Sequence, residues 1–392
     1  MSYRPRSLEP GLRVQLRTFP VVFVQGPRQC GKSTLVRHAL PDWTVLDLER
    51  PADRAVLEAD LEGFLAANSR HIAFDEAQRY PALFGALRHA VDARPGRGRF
   101  VLLGSAGAAL MRGVSESLAG RVGLLELAPF SAAELPAARM ADRWFWGGFP
   151  PVHARRGPQA RGQWLDAYVT QFLERDLPAL GVRIQPQRLR TLWTMLTHVH
   201  GRTLNVSDLA RSLGVSSHTV NDHLDVLEAA FMIRRLAPFH ANVQTRLARS
   251  PKLYIRDTGL LHFLAGLRRP SELLTWSQRG SSFEGMVIEE IAGMASERIV
   301  RPGLFHWRTS TGSEVDLLVQ DGRRLLPIEI KLGAAVDPRA LAGLRQCMKD
   351  LGLKRGWVVY GGDERRELGS GVLLVPWREV VARREDFGLG RS

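Results

Sequence analysis

The chain has 392 residues, 45% of them hydrophobic and 24% charged, with a formal net charge of +14. That length and balance suggest two or three globular domains and exclude a disordered or fibrous chain. No apolar run is long enough to span a bilayer, Met1-Ser2-Tyr3-Arg4-Pro5-Arg6 lacks the apolar core of a signal peptide, and two cysteines build neither a disulfide framework nor a metal cluster; a cytoplasmic protein without membrane contact is expected. The positive excess, slightly heavier in the C-terminal two-thirds, favours a polyanionic partner, nucleic acid before membrane, with an arginine-rich solvated surface as the alternative.

In the first third, apolar segments at Val21–Gln25, 44–48, 71–75, Phe100–Gly104 and 122–127 alternate with helical or polar stretches, the pattern of an α/β fold around a mostly parallel sheet. The first segment runs into Gly26-Pro27-Arg28-Gln29-Cys30-Gly31-Lys32-Ser33-Thr34. This is the G-x-x-x-x-G-K-[ST] phosphate loop, placed between strand and helix. Its backbone N–H groups and the following helix N-terminus attract phosphate, Lys32 reaches the β- and γ-phosphates, and the Ser33 hydroxyl holds Mg²⁺. The third segment delivers Asp75 and Glu76 at its end. Asp75 is expected in the Mg²⁺ shell, and Glu76 orients and polarises the attacking water. Ser105, closing the fourth segment, suits a sensor of the γ-phosphate, with an ordinary turn serine as the alternative. Arg121 is a candidate for stabilising transition-state charge, in cis or as a finger in a neighbour's site.

A helical stretch follows at 160–173, another at 187–199, and then a helix-turn-helix pattern over 206–220 with Ser216 as the second N-cap. Residues 231–236 read as the first strand of a wing. If this module reads DNA, Ser217, His218, Thr219 and Asn221 face the groove and Arg234 and Arg235 lie on phosphates. Against that, the second helix carries Asp222, Asp225 and Glu228, and a structural lid is the alternative.

The last third offers an amphipathic helix around Glu284, strands at 305–308 and 314–319, and a hairpin return through Glu329 and Lys331. Period-two alternation puts Glu329 and Lys331 on one face, with Asp316 across the hairpin. Only five lysines occur, Lys32, Lys252, Lys331, Lys349 and Lys354, so positions where arginine does not serve stand out. The helix acid, strand acid and Glu-x-Lys, in that order, resemble the PD-(D/E)XK nuclease superfamily, with Val315 in place of its signature proline. That resemblance implies Mg²⁺ on Glu284, Asp316 and Glu329, with Lys331 positioning or deprotonating the water. The arginines of the tail, Arg365, Arg366, Arg378, Arg383 and Arg384, are expected either to track a nucleic-acid backbone or to be solvated.

The phosphate loop, Phe74-Asp75-Glu76-Ala77-Gln78, Gly104-Ser105, Leu118-Ala119-Gly120-Arg121, Gly147-Gly148-Phe149-Pro150, Glu174-Arg175-Asp176-Leu177-Pro178 and the run from Ser250 to Leu260 occur in the order found in a large prokaryotic family. It resembles AAA-type ATPases joined to a C-terminal domain long labelled as of unknown function. The expected architecture is a P-loop AAA-type ATPase domain over 1–135, a helical linker over 136–190, a winged helix over 191–245 and an α/β nuclease-like domain over 246–392. The resemblance implies ATP and Mg²⁺ as cofactors and a homo-oligomer or ring. The leading expectation is an ATPase acting on branched or double-stranded DNA. A nucleotide-controlled signalling switch with a non-catalytic C-terminal domain, or a defence or toxin-type nucleic-acid effector, is the alternative.

Overall fold

The computed structural model describes residues 3–68, 70–105, 116–136, 139–179, 182, 184–239, 250–337, 341–383 and 385–390. The chain divides into two units. Unit 1 comprises residues 1–130 with Phe149–Ala154 and Ala229–Phe231, and unit 2 comprises the remainder.

Unit 1 is built on five strands: β1 (Val21–Gln25), β2 (Thr44–Asp47), β3 (Ile72–Asp75), β4 (Phe100–Gly104) and β5 (Val122–Glu126). They form a parallel sheet in the order β2-β3-β4-β1-β5. Strands buried on both faces need unbroken apolar runs rather than alternation. In β1, Val21 and Phe23 pack with Phe74, Phe100 and Leu102, while Val22 and Val24 pack on the opposite face with Val101, Leu103 and Leu125. The order reverses at β1, and ligands of open α/β sheets bind beyond the carboxyl ends of the strands at such a switch point. The phosphate loop leaves β1 there and enters the helix Lys32–Ala39.

Among the described residues, unit 2 contains the helices Pro186–His198, Val206–Leu213 and, but for its last residue, Ser217–Ala229, and nine strands: β6 (Arg202–Thr203), β7 (Ile233–Pro238), β8 (Lys252–Ile255), β9 (Gly303–Arg308), β10 (Glu314–Asp321), β11 (Arg324–Lys331), β12 (Gly356–Tyr360), β13 (Arg366–Glu367) and β14 (Val372–Pro376). Their order is β13-β14-β12-β11-β10-β9-β7-β8-β6, and both edge strands have two residues, which leaves little backbone for unwanted pairing. The expected wing strand, β7, pairs with β8 on one side and with β9 on the other, through Ala237↔Phe305 and Pro238↔His306. Two segments expected as separate modules on either side of residue 245 therefore share one sheet. The helix Arg279–Arg298 covers one face of that sheet, burying Phe283, Val287, Ile291 and Met294 against Leu317, Val319, Ile328 and Val359. The helix Ala342–Asp350 covers the other through Leu344 and Cys347, against Val315, Val358 and Leu374.

Local signals explain the turns. Ser216 Oγ accepts from the Thr219 N–H at 3.1 Å, the N-cap expected for Ser217–Ala229. Asp257 caps Thr258–Leu264 by accepting from Leu260 N at 3.0 Å, and also accepts from Gly148 N at 2.7 Å. Gly147 has φ +75°, and a Cβ there would lie 2.1 Å from Asp257 Oδ1. The Gly147-Gly148 and Asp257-Thr258 segments thus fold directly against each other.

Candidate functional site

The carboxyl ends of β1, β3 and β4 bring together the phosphate loop, Asp75, Glu76 and Ser105. A Cβ on Gly26 would lie 2.2 Å from the Leu127 carbonyl oxygen, so only glycine lets the loop pass the exit of β5. Lys32 is buried, and its ammonium donates to the carbonyl oxygens of Gly26 and Pro27, both at 3.0 Å. The loop is braced from outside by Arg6, whose guanidinium donates to Cys30 O at 2.9 Å and Ala128 O at 2.6 Å. Cys30 itself is fully buried, and burial pushes its thiol up.

Asp75 ends β3 and is buried, and its Oδ1 accepts from the Glu76 N–H at 3.1 Å. Glu76 has φ +53°, an uncommon backbone state for a residue with a side chain and one that concentrates at functional sites. Gln78 Nε2 donates to Glu76 Oε2 and also to Ser105 Oγ at 3.2 Å. Burial raises the Glu76 carboxyl, Lys32 and Arg28 oppose that rise, and Asp75 and Glu49 add to it. Arg28 Nη2 binds Glu49 Oε1 at 2.6 Å and lies 3.9 Å from Glu76 Oε2, while Arg79 holds the same Glu49 oxygen at 2.8 Å. Sequence reasoning missed Arg6, Glu49, Gln78 and Arg79 as parts of this site. Gln78 alone carried a signal, as the fifth residue of the segment that begins Phe74-Asp75-Glu76.

Arg121, a candidate in cis or in a neighbour's site, lies apart from the loop of its own chain. It immediately precedes β5, whose first residue is in register with Val21, so it stands at the amino edge of the sheet while the loop leaves the carboxyl edge. There it grips Asp92 through Nε at 2.6 Å and Nη2 at 2.9 Å.

In unit 2 the basic residues expected on phosphates are also engaged. Arg234 holds Glu289 through Nε at 2.5 Å and Nη2 at 3.0 Å, and Arg256 Nε donates to the same carboxylate at 2.9 Å. Burial would raise Glu289, but the two guanidiniums hold it down to about 2. Arg235 binds Glu228 and Asp225, each at 2.7 Å. Ser217, His218 and Asn221 are exposed and Thr219 half-buried, and His218 Nδ1 lies 3.0 Å from Asp222. In the tail, Arg365 pairs with Glu379 and Glu385, Arg378 with Asp363 and Arg383 with Glu297, while Arg384 lies outside the described residues.

The acids expected to share a metal are divided between two ammonium groups. Lys331 Nζ holds Glu329 Oε1 at 2.5 Å. Lys252, which sequence reasoning did not place here, lies 3.3 Å from Glu284 Oε1 and 3.2 Å from Asp316 Oδ1, and it also pairs with Glu314. The pairing of β10 with β9 shifts register between Val315 and Leu318, and such a bulge re-aims side chains. On the other side of β10, Asp316 Oδ2 accepts from the Ile330 N–H of β11 at 2.9 Å. Burial, then the charge of Asp316, raise the carboxyls of Glu284 and Glu329, to about 7 and about 8. Among the described residues no three His, Cys, Asp or Glu side chains are grouped to hold a metal ion. The signal for Lys252 was its rarity, as one of five lysines beside 49 arginines' worth of positive charge in a total of 54.

Residues 18–136 match the AAA domain family, 137–271 a domain of unknown function (DUF8612), and 279–380 a further domain of unknown function (DUF4143). The uncharacterized protein Rv2008c of Mycobacterium tuberculosis is 41% identical over 373 residues, which cover 94% of this chain and 83% of that protein. The uncharacterized protein Mb2031c of Mycobacterium bovis matches with the same identity and coverage. The chain belongs to their family. The chain thus joins an AAA domain, carrying the complete phosphate loop, to two domains of unknown function. Among solved structures, the Walker-type ATPase PABY2304 of Pyrococcus abyssi is similar at 17% identity with a TM-score of 0.47, over 67% of this chain and 96% of that one. Among the described residues no helix is long and apolar enough to cross a membrane.

Proposed function

We propose that the protein is a nucleotide-driven switch, in which the AAA domain hydrolyses ATP with Mg²⁺ and unit 2 presents the partner-binding surface that the cycle controls. The observation that carries this reading is Glu76, held by Gln78 beside Ser105 at the sheet edge from which the Lys32 loop departs. Lys32 leaves the loop carbonyls for the β- and γ-phosphate oxygens, where its charge offsets the charge that builds in the transition state. Glu76 orients the attacking water and takes its proton, and its raised carboxyl makes it a stronger base than a solvated glutamate. Ser33 and Asp75 are the residues that would hold Mg²⁺, which supplies charge neutralisation along the phosphates when bound. Ser105, reached through Gln78, reports whether the γ-phosphate is present.

Steady-state turnover and nucleotide affinity test this. Glu76→Gln should retain ATP binding and lower turnover by roughly 10²-fold or more, and turnover unchanged in that variant removes Glu76 from the mechanism. A second reading, that the partner is branched or double-stranded DNA, is favoured by the net charge of +14. The engagement of Arg234, Arg235 and three tail arginines by carboxylates weighs against it. Turnover measured with no DNA, linear duplex and four-way junctions separates the two: strong stimulation by junctions favours the DNA reading, and indifference to all of them favours a protein partner. Arg121 belongs to the proposal only as a finger in a neighbour's site, so an oligomer is part of it. Mixing Arg121→Ala with Lys32→Ala chains should restore part of the turnover if the finger acts between copies.

A further inference from the structure

Lys252 opens β8 and is 2% exposed. Burying an ammonium costs several kcal/mol unless carboxylates and hydrogen bonds surround it. Here they come from two directions: Glu284 from the helix Arg279–Arg298, and Glu314 and Asp316 from β10. Two residues along, and so on the same face of β8, Tyr254 donates its hydroxyl to Glu284 Oε1 at 2.5 Å.

A divalent ion needs several oxygens with unengaged lone pairs converging at about 2.0–2.6 Å. Most of that supply is already committed, although Glu329 Oε2 is buried without a hydrogen-bond partner. Glu284 Oε1 serves both Lys252 and Tyr254, Asp316 Oδ1 serves Lys252 and Oδ2 serves the Ile330 N–H, and Glu329 Oε1 serves Lys331. A metal placed on Glu284 and Asp316 would sit a few ångströms from a buried ammonium held by the same atoms, and like charges at that distance repel strongly where solvent is excluded. The choice of lysine fits this position, since a compact ammonium enters a space among three carboxylates that a planar guanidinium does not. The Mg²⁺ implied by the nuclease resemblance therefore does not fit the residues present.

We propose that Lys252 is the resident cation of the acidic cluster, that the cluster binds no divalent metal, and that unit 2 does not cut nucleic acid. The proposal is independent of the nucleotide reading, because every residue in it lies in unit 2. It also gives Lys252 a specific consequence: without its ammonium, Glu284, Glu314 and Asp316 become an unneutralised acidic pocket that recruits a cation from solution.

The test uses the full chain without nucleotide and Mn²⁺ as the probe, titrated by electron paramagnetic resonance alongside thermal melts. Wild type and Asp316→Asn should bind the same number of Mn²⁺ ions. Lys252→Ala should gain one ion per chain and a Mn²⁺-dependent rise in melting temperature, and both should disappear in Lys252→Ala/Asp316→Asn. One ion bound by wild type and lost in Asp316→Asn, or Mn²⁺-dependent nicking of plasmid DNA by wild type that Asp316→Asn abolishes, overturns the proposal. A folded Lys252→Ala that gains no ion overturns it as well. Should Lys252→Ala melt cooperatively only when Mn²⁺ is supplied, the proposal is supported. The comparison of wild type with Asp316→Asn, repeated with Glu284→Gln, decides the case without any Lys252 variant.

Discussion

Gln78 is the residue through which the nucleotide site is wired. One amide nitrogen touches both the Glu76 carboxylate, proposed to handle water, and the Ser105 hydroxyl, proposed to meet the γ-phosphate. It reaches no substrate atom in the mechanism above, so it is a positioning residue. Gln78→Ala should lower turnover by roughly 10²-fold, the loss expected when a catalytic group drifts by about 1 Å, while the KM for ATP stays within about twofold of wild type, since uniform binding is untouched. Gln78→Asn should recover part of the loss, which a purely structural role would not predict, and a fall in affinity with unchanged turnover would contradict the assignment. Gly26 makes a different demand on the same site. A methyl group there meets the carbonyl of Leu127, a backbone atom that cannot turn aside, so Gly26→Ala should abolish ATP binding measured by fluorescent-nucleotide titration.

Between elements, the Glu289 carboxylate ties the helix Arg279–Arg298 to β7 through Arg234 and to the end of β8 through Arg256. Removing one partner of a buried ion group leaves the others uncompensated. Glu289→Gln should therefore destabilise unit 2 by about 3 kcal/mol near neutral pH, in line with the fall of its carboxyl to about 2. The sign with pH follows from that depression. The contribution is complete above the ordinary carboxylate pKa of about 4.5 and is lost as pH falls toward 2, because the unfolded chain takes up a proton that the folded one refuses. Denaturant melts of wild type and variant should converge over that window, and a difference that persists unchanged at pH 2 would refute the ion-group account. This pairing also marks where reading the sequence stops. The phosphate loop, Asp75-Glu76 and the Ser216 cap are legible because their partners are neighbours in the chain and the geometry is local. Arg234 and Glu289 are 55 positions apart, and nothing in an arginine on a wing strand tells whether it meets a phosphate or a buried acid. Lys252 is the same case. Its rarity is visible in the sequence, but its three acids gather only when β8, β10 and the helix Arg279–Arg298 are packed.

At the scale of the whole molecule, the nine-stranded sheet is the feature that local patterns conceal. Helix-turn-helix periodicity and a hairpin with Glu-x-Lys each read as complete modules, because the strand alternation within each is satisfied before either is joined to the other. What joins them is the parallel pairing of β7 with β9, a contact across more than sixty residues with no turn signal to announce it. A strand edge buried in this way becomes a liability when its neighbour is removed, since unpaired N–H and C=O groups recruit other chains. Residues 250–392 alone retain β9 but lose β7, and β8 loses both of its neighbours, β7 and β6. Expressed separately, that fragment should aggregate or melt without cooperativity, whereas residues 131–392, which keep all nine strands, should give a single cooperative transition by circular dichroism. A monomeric, cooperatively melting 250–392 would mean that the sheet is divisible at β9. In that case the C-terminal segment is a domain in its own right, and the shared sheet is a docking of two finished folds rather than the core on which both depend.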